Sequence, residues 1–231
     1  MAGHKLTSEK RLILWDIDGT LVRTSRPRSL SPHVNALTRL GYSVSDRPIQ
    51  LSGSTDYEVI IELLKINKIS IKEDKLREVF IELDKEAQRL DLVSEFNLFP
   101  GVRNMLDKLS ALEWSHGILT GNTHNRMISK LLSSNIIQYF LKELMFSCSF
   151  GDSRKDISKN AVRIIDRGLY QKIYMVGDTP KDISAARSIG FPVISVASGN
   201  YSFSDLSNYY PDLLIRNLKV DSKLFINFLS E

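Results

Sequence analysis

The abrupt change from apolar to polar positions at residues 12–18 organises the whole chain. Leu12–Trp15 is an unbroken apolar run, which suits a strand covered on both faces of a parallel sheet. It ends in Asp16-Ile17-Asp18-Gly19-Thr20, where Gly19 and Thr20 predict a tight turn. Apolar blocks near 116–119, 143–147, 172–176, 192–196 and 213–215 predict further strands. Helical periodicity predicts helices over 102–109, 124–134, 157–167, 181–189 and 220–229. Strands and helices that alternate through short links predict an α/β fold, a doubly wound parallel sheet with helices on both faces.

The alternation is interrupted once. Residues 23–95 carry a mostly helical pattern: Leu30–Leu40 ended by Gly41, then a helix opened by Thr55 or Asp56. A longer helix over Ile71–Leu90 follows, with Leu76, Val79, Phe80 and Leu83 on one face. Phe99-Pro100-Gly101-Val102 marks the return to the core. The division predicted is a core of residues 1–22 and 96–231 with an all-helical cap at 23–95. The span from Thr120 to Arg154 holds only a helix, a strand and their links, so the insert is the one candidate lid. Segments near 22–26 and 94–99 would join it to the core.

Composition narrows the function classes. A chain of 231 residues with 42% hydrophobic and 25% charged residues is ordinary for a soluble globular protein. The single cysteine, Cys148, excludes an intramolecular disulfide and fits a reducing, cytoplasmic setting. Residues 1–11 contain no apolar h-region and no apolar run approaches 18 residues, so neither a secretory signal nor a membrane span is expected. The net charge of +4 is mild and suits an anionic ligand and scattered surface lysines equally, and no basic stripe with interleaved aromatics points to nucleic acid. Homo-oligomerisation is left open.

The chemistry collects at strand ends, where open α/β sheets bind ligands. Asp16 and Asp18 follow the first strand. Thr120-Gly121-Asn122 follows the second block, Arg154-Lys155 precedes the helix predicted at 157–167, and Gly177-Asp178 with Asp182 follows the fourth block. Pro180 suits the first turn of a helix. A hydroxyl, a cation and two carboxylate pairs match Mg²⁺-assisted phosphoryl transfer through an aspartyl-phosphate.

With these motifs the chain resembles the haloacid dehalogenase-like hydrolase superfamily, in particular its helical-cap, phosphoglycolate phosphatase-like members. The resemblance implies Asp16 as nucleophile and Asp18 as general acid/base. It implies Mg²⁺ held by Asp16, the Asp18 backbone carbonyl and Asp178, with Asp182 one layer out. It implies a phosphoryl site at Thr120, Gly121 and Asn122. A third-motif cation is expected from Arg154 or Lys155, with Lys159 behind them because it falls within the helix. Ser52-Gly53-Ser54-Thr55-Asp56 resembles the cap stretch of those members, so Gly53, Thr55 and Asp56 are expected either to meet the substrate or to form a plain helix cap. Arg23, Arg26 and Arg28 offer a second anion site, with surface charge as the competing reading. His33, His116, His124 and Cys148 form no metal or triad pattern. The implied activity is hydrolysis of a small phosphorylated metabolite. The alternatives are a hexose-phosphate phosphomutase, which Thr20 argues against, and a non-catalytic phospholigand-binding regulator, which the intact carboxylates argue against.

Overall fold

The computed structural model describes residues 10–24, 31–45, 52–91 and 96–231. Strands are β1 (Lys10–Trp15), β2 (Val22–Thr24), β3 (Phe96–Leu98), β4 (Trp114–Leu119), β5 (Met145–Phe146), β6 (Tyr170–Gly177), β7 (Val193–Val196) and β8 (Leu213–Ile215). Helices are α1 (Ser31–Arg39), α2 (Asp56–Ile66), α3 (Glu73–Asp91), α4 (Val102–Ala111), α5 (His124–Ser133), α6 (Arg154–Ile164), α7 (Pro180–Ser188), α8 (Phe203–Ser207) and α9 (Ser222–Ser230).

Six strands form one parallel sheet in the order β5-β4-β1-β6-β7-β8. Period-two alternation divides β1 between two cores. Ile13 and Trp15 pack with residues of α4, α5 and α9, among them Met105, Met127 and Phe225. Leu12 and Leu14 pack with residues of α6, α7 and α8, among them Ile157, Ile183 and Leu206. Both faces are covered, as the unbroken apolar runs require. Trp15 donates its indole N–H to His116 Nδ1 at 3.1 Å, and burial pushes the His116 imidazole down to about 4, so His116 belongs to the core.

The chain leaves β1 by a turn that only glycine accommodates easily. Gly19 has φ +92°, and a side chain there would strike Asp178. The strands that carry the chain out and back, β2 and β3, pair antiparallel, with Val22 opposite Leu98 and Thr24 opposite Phe96. Helices α1–α3 enclose their own apolar cluster of Leu37, Val59, Ile60, Leu63, Leu64 and Val79. Among the described residues no helix is long and apolar enough to cross a membrane.

Element bounds shift by a few residues from the sequence pattern, and one helix, α8, is additional to it. Helix α6 begins at Arg154 and not at 157, because Ser153 caps it by accepting from Asp156 N. The short helix α8 has a polar, five-residue sequence whose capping box lies between Ser202 and Asp205. The apolar block at 143–147 contributes only two strand residues, since Lys142–Leu144 is wound into a 3₁₀ turn.

Candidate active site

The carboxyl ends of β1, β4 and β6 deliver the predicted residues to one place. Asp16 continues β1, with its N–H donating to Val176 O of β6 at 2.9 Å. Thr120 continues β4, with its N–H donating to Phe146 O of β5 at 2.9 Å. Asp178 follows β6. Each is buried.

One oxygen from each of Asp16, Asp178 and Asp182 lies within 4.8 Å of the others. Arg154 lies among them: Nη2 donates to Asp16 Oδ1 at 2.5 Å, and Nη1 donates to Leu119 O at 2.8 Å and faces Asp182 Oδ1 at 3.2 Å. Asp182 is otherwise occupied by its own helix, where Oδ2 accepts from Thr179 N at 3.1 Å and Thr179 Oγ1 at 2.7 Å in a capping box. Asp16 Oδ2, by contrast, is buried with no hydrogen-bond partner among the described residues. Burial raises the Asp16 carboxyl to about 7; Asp182 and Asp18 add to the rise, and Arg154 opposes it. Asp178 sits between two glycines, with Thr20 Oγ1 donating to its Oδ1 at 3.3 Å: a Cβ on Gly199 would come within 1.6 Å of its Oδ2 and one on Gly19 within 2.2 Å. Three close carboxylates, one guanidinium and an orphaned carboxylate oxygen fit a hard, oxygen-seeking divalent cation.

The third-motif alternatives separate cleanly. Arg154 points into the carboxylate cluster, whereas Lys155 and Lys159 are exposed and join no site residue. Adjacent residues on a helix diverge by about 100°, so only one of Arg154 and Lys155 can face inward.

Asp18 lies on the open side of the cluster, with 36% of its side chain exposed. Its two oxygens accept from Lys130 Nζ at 2.8 and 2.6 Å, and Oδ2 also accepts from Asn122 Nδ2 at 2.7 Å. Burial acts to raise this carboxyl, but Lys130 and Asn122 outweigh it and hold it below the ordinary range. Asn122 Nδ2 also donates to Thr120 Oγ1 at 2.7 Å. Lys130 is absent from the sequence-based set. Its signal was its register: Met127, Lys130 and Leu131 form the buried stripe of α5, so a lysine stands where a core residue is expected.

The cap stretch docks on the core. Thr55 caps α2 by accepting from Glu58 N at 3.0 Å and donates to Asp152 O at 2.5 Å. Asp56 N donates to Gly121 O at 2.7 Å, and Asp56 Oδ2 accepts from Thr123 N at 2.7 Å. Asp56 Oδ1 pairs with Arg126 and meets His33 Nε2 at 2.9 Å. Burial alone would raise the Asp56 carboxyl, but Arg126 and His33 carry it far below the usual range. Gly53 lies against Thr179, with no room for a Cβ, and Lys181 Nζ reaches Ser54 Oγ at 2.8 Å. The side chains of Thr55 and Asp56, for which the sequence left both a substrate contact and a plain helix cap open, cap α2 and hold the helical insert against Asp152, Thr123 and Arg126. His33, with no assigned role from sequence, belongs to this contact. Arg23 is exposed on β2, and Arg26 and Arg28 lie outside the described residues.

A family model described as haloacid dehalogenase-like hydrolase matches residues 13–196. A phosphoglycolate phosphatase of Nitrosococcus oceani is 25% identical over 226 residues, covering 92% of this chain and 95% of that protein. Among solved structures, a predicted phosphoglycolate phosphatase from Haemophilus somnus superposes with a TM-score of 0.69 at 21% identity, covering 95% of this chain and 99% of the other. CbbY from Rhodobacter sphaeroides, solved in complex with phosphate, gives a TM-score of 0.70 at 16% identity over 92% and 96% of the two chains.

Proposed function

The chain belongs to the haloacid dehalogenase-like hydrolase family, and from that premise we propose that it is a Mg²⁺-dependent phosphatase acting on a small phosphomonoester through an aspartyl-phosphate at Asp16. The observation that carries this reading is the Asp16 carboxylate: one oxygen is fixed by Arg154 and the other is buried without a hydrogen-bond partner among the described residues. An oxygen so held has its line of attack set and no hydrogen bond to break before it reacts.

In the first half-reaction Asp16 attacks phosphorus, a bond forms from its carboxylate oxygen, and the ester P–O bond breaks. The leaving alkoxide takes a proton from Asp18. In the second half-reaction water attacks phosphorus and releases Asp16, while Asp18 takes a proton from that water. The proton gained in one turnover is the proton given in the next, so the books balance through Asp18. Thr120 and the backbone amides of Gly121 and Asn122, at the entry to α5, bind the phosphoryl oxygens. Arg154 neutralises charge at Asp16. Asp16, Asp178 and the Asp18 backbone carbonyl would hold Mg²⁺, which supplies charge neutralisation between two anions that otherwise repel. Residues 23–95 act as the lid over the leaving-group side.

The test is a panel of phosphorylated metabolites, with phosphoglycolate first because relatives carry that name, assayed for phosphate release with Mg²⁺ and with EDTA. Borohydride quenching during turnover should convert the acyl-phosphate to homoserine at position 16, read by peptide mass spectrometry. Turnover without any trapped homoserine, and undiminished in Asp16→Asn, would remove the covalent route.

A further inference from the structure

Lysine is rarely enclosed in a protein unless its charge is matched. Among the described residues Lys130 is the single buried lysine. Its ammonium has three hydrogens and meets three acceptors: Asp18 Oδ1 at 2.8 Å, Asp18 Oδ2 at 2.6 Å and Asn122 Oδ1 at 2.7 Å. Asn122, fixed through its oxygen, turns its amide to Asp18 Oδ2 and to Thr120 Oγ1, each at 2.7 Å. One ammonium therefore orients two separate motifs, the carboxylate that follows β1 and the loop that follows β4.

We propose that Lys130 is a positioning residue that holds Asp18 and Thr120 in register, so that the proton carrier and the phosphoryl grip face one substrate together. This rests on the reading of Asp18 as the proton carrier. An aspartate at the end of a strand has two free side-chain torsions, and proton transfer needs heavy atoms within about 2.6–3.2 Å. With both Asp18 oxygens held by one donor, the side chain has a single orientation. Folding alone gives no reason for the arrangement: Met127 and Leu131 flank Lys130 on the same buried stripe, and a methionine would fill the position. The ammonium is there for what it holds.

The experiment compares Lys130→Met with wild type on p-nitrophenyl phosphate and on an alkyl phosphate, with Mg²⁺ present and thermal unfolding recorded for each protein. The expected result is a kcat on the alkyl ester reduced at least tenfold more than on the aryl ester, with KM changed less than threefold on both. An alkoxide depends on correctly delivered acid and p-nitrophenolate hardly does. In an Asp18→Asn background the further loss from Lys130→Met should be less than threefold. Propylammonium added to Lys130→Ala should recover alkyl-ester turnover. Equal losses on both esters, persisting undiminished in Asp18→Asn, would overturn the proposal. If Lys130→Met does not fold, Lys130→Gln, which keeps length and one donor, is measured against the same criteria. Should Asp18→Asn itself show no leaving-group bias, the Asp18 reading fails. Bias in Asp18→Asn but none in Lys130→Met rejects Lys130 alone.

Discussion

Replacing Arg154 with methionine tests the electrostatic centre of the site. The guanidinium binds Asp16 at 2.5 Å and Leu119 O at 2.8 Å and faces Asp182 at 3.2 Å, with only 6% of its side chain exposed. Methionine keeps most of the volume and none of the charge. The substitution leaves Asp16 and Asp182 buried without their cation. Breaking a buried pair from one side costs about 3–5 kcal/mol. For a chain of this size each kcal/mol moves Tm by about 2–4 °C, so the drop in EDTA should be about 6–20 °C. Saturating Mg²⁺ should recover part of it, since a divalent ion restores positive charge beside Asp16; binding at 100 times Kd contributes about 2.7 kcal/mol. The Mg²⁺-induced rise should therefore exceed that of wild type. Turnover should still fall by about 10²–10³, the usual consequence of losing one preorganised donor at a developing charge. Thermal unfolding in EDTA and Mg²⁺, with phosphate release at saturating substrate, gives each quantity. Lys155→Met and Lys159→Met serve as comparisons and should leave both nearly unchanged. A Tm for Arg154→Met within about 2 °C of wild type in EDTA would refute the reasoning, as would an equal activity loss in Lys155→Met.

Three further outcomes are expected. The Asp16 carboxyl rises from 3.8 to about 7 on folding, so metal-free stability should decline as pH rises from 4 to 7. Mg²⁺ needs the carboxylate, so its effect on Tm should be larger at pH 8 than at pH 6; Asp16→Asn should lose this pH dependence together with turnover, as thermal scans with and without Mg²⁺ would show. Asp56→Ala should cost about 3–5 kcal/mol in denaturant unfolding, and it should slow p-nitrophenyl and alkyl esters alike, because Asp56 binds the Thr123 N–H beside the phosphoryl loop; a loss confined to one ester would place Asp56 at the substrate instead. Gly199→Ala puts a methyl within 1.6 Å of Asp178 Oδ2 and should weaken the activating effect of Mg²⁺ by about 10–100-fold, read from a Mg²⁺ titration of activity.

The sheet and the positions of Asp16, Asp18, Thr120 and Asp178 were legible because each follows an apolar run that is a strand, and Asp182 because Pro180 marks the start of the helix that carries it. What the sequence could not decide was direction. Arg154 and Lys155 are equivalent as letters, and the choice depends on where the Ser153 cap starts α6. Lys130 lay hidden because a lysine in a polar helix reads as surface charge until its neighbours Met127 and Leu131 are seen to face the core. Thr55 and Asp56 were legible as a helix start, since Thr55 with Glu58 is a capping box. Their docking partners Asp152, Thr123 and Arg126 are 67 to 97 positions away, beyond any local pattern.

The placement of β1 at the centre of the sheet bears on how the chain is made. Residues 11–15 pair with 114–118 on one side, and residues 10–15 pair with 170–176 on the other. At synthesis rates of about 5–20 residues per second, the second partner emerges on the order of 10–30 s after the first strand. Over that interval Leu12–Trp15 is an unpaired apolar strand, the kind of segment that seeds association between chains. The cluster of α1–α3 draws only on residues encoded between the two halves of the core, so it can form while β1 waits. The insert that we propose as the lid is thus the first part of the chain able to fold, and in sequence it directly follows the segment most in need of cover.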